Sequence, residues 1–133
     1  MSDALANGDA LDRFACEVRR VEKPWGYEIV FAHTRSFSGK VLHVRKGEQL
    51  SLQFHREKEE VIYVHEGRIE LEIREPGRPL AVGVVGPDRA FHLTPGIVHR
   101  WRALEDSLVL EASTPQLDDV VRLEDRYGRD DAA

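Results

Sequence analysis

From Val21 onward the chain alternates short β-branched and apolar runs with turn residues, and no stretch keeps a long helical period. The runs predict strands over residues 27–32, 40–45, 49–55, 60–65, 68–74, 80–85, 90–93, 99–103 and 107–112. Between them stand Ser38-Gly39, Lys46-Gly47, Glu66-Gly67, Pro76-Gly77, Gly86-Pro87-Asp88, Pro95-Gly96 and Glu105-Asp106, all with turn chemistry. Residues 68–74 alternate charged and apolar side chains, so one face of that strand is buried and the other wet. About nine closely spaced strands of this kind predict an all-β, antiparallel sandwich or barrel. Trp25, Phe31, Ile62, Leu71, Ile73, Phe91 and Leu110 are its expected core.

The ends read differently. Residues 1–20 are small and polar until Leu11, Phe14 and Val18, which space as one or two helical turns, and predict a weakly ordered arm. Residues 117–128 set Val120, Val121 and Leu123 among charges, a pattern that fits a short helix or a strand equally. The ordered domain is expected over 21–129, with 130–133 frayed.

Composition narrows the function classes. The chain has 133 residues, enough for one domain, and 41% hydrophobic residues, enough for a core. No apolar run approaches the ~20 residues that span a bilayer, and the first twenty residues lack an apolar leader, so neither membrane nor export is expected. The lone cysteine, Cys16, forms no intramolecular disulfide and fits a reducing cytoplasm. A formal net charge of −5 argues against nucleic acid as a partner but leaves room for a local basic pocket.

The chemistry concentrates in residues 47–67. Gln53 and His55 are two apart on a strand and leave the same face. Glu60 follows a turn-length gap and can return to that face, and Thr94-Pro95-Gly96 delivers His99 at the mouth of another strand. Two imidazoles, one carboxylate and one amide oxygen converging in a small barrel make a mixed N/O site for a first-row divalent metal. His33, His43, His65 and His92 lack that spacing and are assigned to structure or surface.

These residues resemble the cupin superfamily. Gly47, Gln53, His55, Glu60 and Gly67 stand at the spacing of the first cupin signature, with glutamine in the first ligand slot, while Gly96 and His99 fit the second with Pro95 displaced by one. The resemblance implies a single-domain antiparallel jelly-roll β-barrel. A glutamine in that slot is similar to the phosphomannose isomerases, which implies zinc, with Mn, Fe, Co or Ni as alternatives. More narrowly, Lys23-Pro-Trp-Gly26, Leu50-Ser-Leu-Gln53-x-His55, Pro95-Gly96-x-x-His99-Arg100 and Asp118-Asp-Val-Val-Arg122-x-Glu124-Asp-x-Tyr127-Gly128-Arg129 resemble, in order, the C-terminal isomerase domain of the bifunctional mannose-6-phosphate isomerase/mannose-1-phosphate guanylyltransferases. Arg56-Glu57-Lys58 and Val61-Ile62 depart from that family, which carries further histidines after its ligand histidine and His-Trp after the glutamate.

The resemblance implies aldose–ketose isomerisation of a sugar or sugar phosphate. Lys40 and Arg100 are the candidates for binding an anionic or polyhydroxylated substrate, although simple alternation points Arg100 away from the His99 face. Lys58 and Glu111 are the candidate proton-transfer groups; as plain charges, Lys58 would be solvated in its loop and Glu111 exposed on its strand. Two other readings compete: an epimerase- or dioxygenase-like metal-dependent cupin, and a metal and metabolite binder without catalysis. A homodimer is expected, because strands near the N-terminus leave an edge to cover.

Overall fold

The computed structural model describes residues 8–131; the first seven residues of the expected arm and the last two of the frayed tail lie outside them. The alternating runs form two antiparallel sheets. One contains, in spatial order, β1 (Arg19–Lys23), β2 (Gly26–His33), β3 (Ser38–Val44), β10 (Ser107–Ser113), β5 (Glu60–Glu66) and β8 (Ala90–Leu93). The other contains β11 (Val121–Glu124), β4 (Leu52–Phe54), β9 (Val98–Ala103), β6 (Ile69–Arg74) and β7 (Ala81–Val85). One short helix, α1 (Gly8–Asp12), precedes them, and no described helix is long and apolar enough to cross a membrane.

Every expected strand is present, with bounds that shift at the ends. The largest shift is at 49–55, where only Leu52–Phe54 is strand, because residues 55–58 turn to present His55 and Lys58. The ambiguous tail is settled by a partner: Val121 pairs with Phe54 and Arg122 with Gln53, so it is a strand. β1 pairs along its whole length with β2, from Arg19–Val30 to Lys23–Gly26.

The inward faces meet in one core of Trp25, Leu42, Val64, Ile69, Leu71 and Trp101 among others. Each such side chain withdrawn from water contributes about 1.5–3 kcal/mol. Ile62 and Leu71 are buried as expected, while Phe91 and Ile73 pack against the core from its margin. Phe31 is a correction: it is 48% exposed. Strand alternation explains this, since Glu28 and Val30 take the inner face of β2 and leave Phe31 outside, over Gly39. Leu110 also lies outside, because its neighbours Val109 and Glu111 face in.

Candidate metal centre and its pocket

Both sheets contribute to the site. Gln53 on β4 lies opposite His99 on β9, so the two share a face, and His55 follows two residues after Gln53. Glu60 opens β5 in the facing sheet. There the ligand atoms of His55, Glu60 and His99 lie within 4.8 Å of one another, and all three residues are buried. Nε2 of His55 is 3.2 Å and Nε2 of His99 3.1 Å from the same oxygen, Glu60 Oε1. Glu60 Oε2, also buried, makes no hydrogen bond of good geometry among the described residues, and its neighbour is the Lys58 ammonium.

The other edge of each imidazole fixes its tautomer. His55 Nδ1 faces the Asp119 carbonyl oxygen and His99 Nδ1 lies 2.9 Å from the Ile97 carbonyl oxygen. A carbonyl only accepts, so each Nδ1 carries a proton, and in the neutral ring that a metal requires each Nε2 turns a lone pair towards Glu60. Three acceptor atoms facing one another in a buried space repel unless a cation sits among them, so the donor set fits a divalent metal. Gln53 Oε1 accepts from Ser51 Oγ at 2.6 Å, which orients a fourth oxygen donor along the same pocket.

Beside this cluster Lys58 Nζ lies 3.3 Å from Glu60 Oε2 and 3.0 Å from Glu111 Oε2. The Lys58 side chain is only 5% exposed, so the solvated-loop reading of it is overturned. Its loop is drawn inward by Asp119, whose carboxylate accepts the backbone N–H groups of Arg56, Glu57 and Lys58. Burial pushes the Asp119 carboxyl up, but those three donors outweigh it and hold the group below its ordinary range. Burial alone would lower the Lys58 ammonium, yet the charges of Glu111 and Glu60 keep it above its ordinary value. For Glu60 burial is likewise opposed by the Lys58 ammonium, which favours the carboxylate. Glu111 goes the other way: burial, then the Glu60 charge, push it up against the pull of Lys58 and Lys40.

These side chains open into a cavity of about 90 Å³, lined by Lys40, Gln53, His55, Lys58 and Glu111 and closed by residues of the tail. KdgF from Halomonas sp. is similar in structure, with a TM-score of 0.63 at 24% identity over 77% of this chain and 89% of that one. The capsular polysaccharide assembling protein CapF from Staphylococcus aureus gives 0.68 at 17% identity, and oxalate decarboxylase from Bacillus subtilis 0.70 at 14%. The likenesses cover 84% and 80% of this chain but 36% and 30% of theirs, about a third of each. The fold is the cupin jelly roll. At these identities the likeness carries the fold and no activity. No family model matches the chain, and no curated protein matches it.

Within this cupin fold, the expected residues separate into two groups. Lys40, Gln53, His55, Lys58 and Glu111 line one pocket; Glu60 is tied to it by its contacts with His55 and Lys58, and His99 by its contact with Glu60. Lys40 lies opposite Glu111 across β3 and β10, which puts both on the inner face. Arg100 is not among them. It follows His99 by one residue, so its guanidinium leaves the opposite face of β9, where Glu72 holds it at 3.1 Å and Glu124 at 3.2 Å. Of the four histidines assigned elsewhere, His43 stacks on Tyr27 and exposed His92 contacts Glu59.

Sequence reasoning missed Lys23, Glu28, Arg122 and Arg129, which all line the cavity. For Glu28 the signal was present: it alternates with Val30 on the buried face of β2. For Arg122 the signal was hidden, since a four-residue strand among charges shows no face until its partner is known.

Proposed function

We propose that the chain is a metal-dependent cupin enzyme that isomerises a sugar or sugar phosphate between its aldose and ketose forms. The observation that carries this reading is the buried Lys58–Glu111 ion pair, which stands against the His55–Glu60–His99 cluster and lines its pocket. Gln53, His55, Glu60 and His99 would hold the metal, zinc by the family resemblance, with Mn, Fe, Co or Ni as the other first-row choices. When bound, it supplies Lewis-acid polarisation of the substrate's carbonyl and adjacent hydroxyl.

The chain's own residues then supply proton transfer. Glu111, with a carboxyl raised by burial, takes the proton from the carbon beside the carbonyl and returns it to the former carbonyl carbon, while the proton of the adjacent hydroxyl passes to the former carbonyl oxygen. Lys58 Nζ orients that carboxylate by donating to it. Lys40, opposite Glu111, presents a cation to the substrate's oxygens. The naming of CapF as a capsular polysaccharide assembling protein supports a saccharide-related ligand without identifying it.

A homodimer belongs to the same reading. The outer face of the six-stranded sheet carries Ile29, Val41, Leu110 and Tyr63 in one cross-strand row, and β1 leaves an open edge. Sedimentation of the full chain tests it, with twice the 15.2 kDa chain mass expected. Cytoplasmic placement goes with the single cysteine, which is exposed and free.

The deciding experiment incubates metal-loaded protein with hexoses and hexose phosphates in D2O. Exchange of the C–H next to the carbonyl, followed by NMR, is expected for at least one of them and lost in Glu111→Gln. A metal-loaded protein that exchanges none of them is a binder or a different enzyme.

A further inference from the structure

The cavity lining carries charge that the metal centre and the Lys58–Glu111 pair do not use. It includes five cationic side chains, Lys23, Lys40, Lys58, Arg122 and Arg129, against the carboxylates of Glu28 and Glu111, in a chain whose formal net charge is −5. Lys58 is accounted for by Glu60 and Glu111. Arg129 is held by Asp125 through two nitrogens, at 2.8 and 3.0 Å. Lys23 and Lys40 share one carboxylate, with Nζ atoms 3.9 and 3.5 Å from Glu28 Oε1.

Arg122 has no such partner among the described residues. It pairs across the ladder with Gln53 and therefore shares the face that carries the centre. Its Nε is buried and makes no hydrogen bond among the described residues. A guanidinium stays charged at any physiological pH, so a buried N–H of this kind lacks the acceptor that would offset its desolvation. The shared carboxylate of Glu28 and the orphaned Arg122 together leave two positive charges in excess in the cavity lining. The Lys23 ammonium registers the crowding: burial first, and then repulsion from Lys40, Arg122 and Arg129, hold it below its ordinary value despite Glu28.

We propose that Arg122 and Lys40 form an oxyanion subsite, which holds the phosphate or carboxylate group of the ligand while its other end reaches Lys58 and Glu111. The orientation of the ligand rests on the isomerase reading above; the subsite itself rests on the charges alone. It places the anion contact at Arg122 and not at Arg100, whose donors Glu72 and Glu124 already occupy.

Ligand-observed NMR titration of the full chain, zinc-loaded and metal-stripped, with inorganic phosphate, with acetate and with neutral mannose tests this. At least one of the two anions should bind both forms. Arg122→Gln should weaken that anion by about ten- to a hundred-fold, the size of one charge-assisted hydrogen bond. Arg122→Lys should fall between, Lys40→Met should weaken it also, and Arg100→Gln should change nothing. Phosphate without acetate assigns a phosphomonoester, and acetate without phosphate a carboxylate. Mannose should be insensitive to Arg122→Gln. Anion binding to neither form overturns the subsite, as does binding that needs the metal and ignores both Arg122→Gln and Lys40→Met. Anion binding lost in Arg122→Gln but with no sugar exchanged in D2O keeps the subsite and removes the isomerase.

Discussion

Lys58 Nζ stands 3.0 Å from Glu111 Oε2 although the two residues lie 53 apart in sequence, and neither is open to solvent. A loop residue and a mid-strand residue have been brought into a salt bridge in the lining of a pocket. Breaking a buried pair by removing one partner leaves the other charge uncompensated. Lys58→Met strands two carboxylates, Glu111 and Glu60, and is expected to cost about 3–5 kcal/mol in urea unfolding. Glu111→Gln leaves Lys58 with Glu60 and should cost clearly less. Equal losses in the two variants would mean that Lys58 is not the shared cation of this trio.

Metal content should follow the donor set. His55→Ala and His99→Ala are each expected to remove most of the bound metal, read by mass spectrometry of protein purified without added metal. Gln53→Ala should weaken binding less, because water replaces an amide oxygen more readily than an imidazole. Asp119→Ala tests the support: losing the carboxylate that gathers three amides behind His55 should lower affinity about tenfold, the lower end of what such partners contribute. Full metal occupancy in both histidine variants would dismiss the centre.

Acid should unfasten the tail through Asp125. Its carboxylate, covered by the fold, accepts the Arg129 backbone N–H and two guanidinium bonds, and Arg129 holds it below the usual carboxyl range. A depressed carboxyl stabilises the fold above its unfolded pKa of about 3.9 and loses that contribution as pH falls towards the folded value. The difference in stability between wild type and Asp125→Asn should therefore be greatest near neutral pH and shrink below about pH 4. A difference that stays constant across this range would show that the pair adds no linkage.

Two signature glycines should respond unequally. Gly67 has φ +90°, and a Cβ there would lie 2.3 Å from Ser107 Oγ and 2.6 Å from the Asp106 carbonyl oxygen. Gly47 has φ +85° with nothing within 4 Å. Gly47→Ala should cost only the backbone strain, about 1–2 kcal/mol, and Gly67→Ala about 1–3 kcal/mol more, read by thermal melting.

Much of this was legible in the sequence because alternation is local. It placed nine strands, set Gln53 and His55 on one face, and pointed Arg100 away from His99, as the ion pairs to Glu72 and Glu124 now show. What it could not give was pairing. Whether residues 117–128 were helix or strand depended on Phe54 and Gln53, more than sixty residues away in sequence. The burial of Lys58 depended on Asp119, which no local pattern links to residues 56–58. Arg122 escaped for the same reason, and Phe31 was misjudged because aromatic character outweighed its position next to inward Val30.

The contact from the Asp119 carbonyl to His55 Nδ1 spans 64 positions in the chain. A chain emerging from synthesis carries Gln53, His55, Glu60 and His99 before the group that orients one of them exists. Until residue 119 arrives, the His55 ring is free to offer either nitrogen, and ions that bind it then need not match the completed centre. The orientation of His55 is thus completed late, by the last quarter of the sequence. A fusion or cut that displaces residues 118–122 would act as a change of metal chemistry, with every ligand still in place.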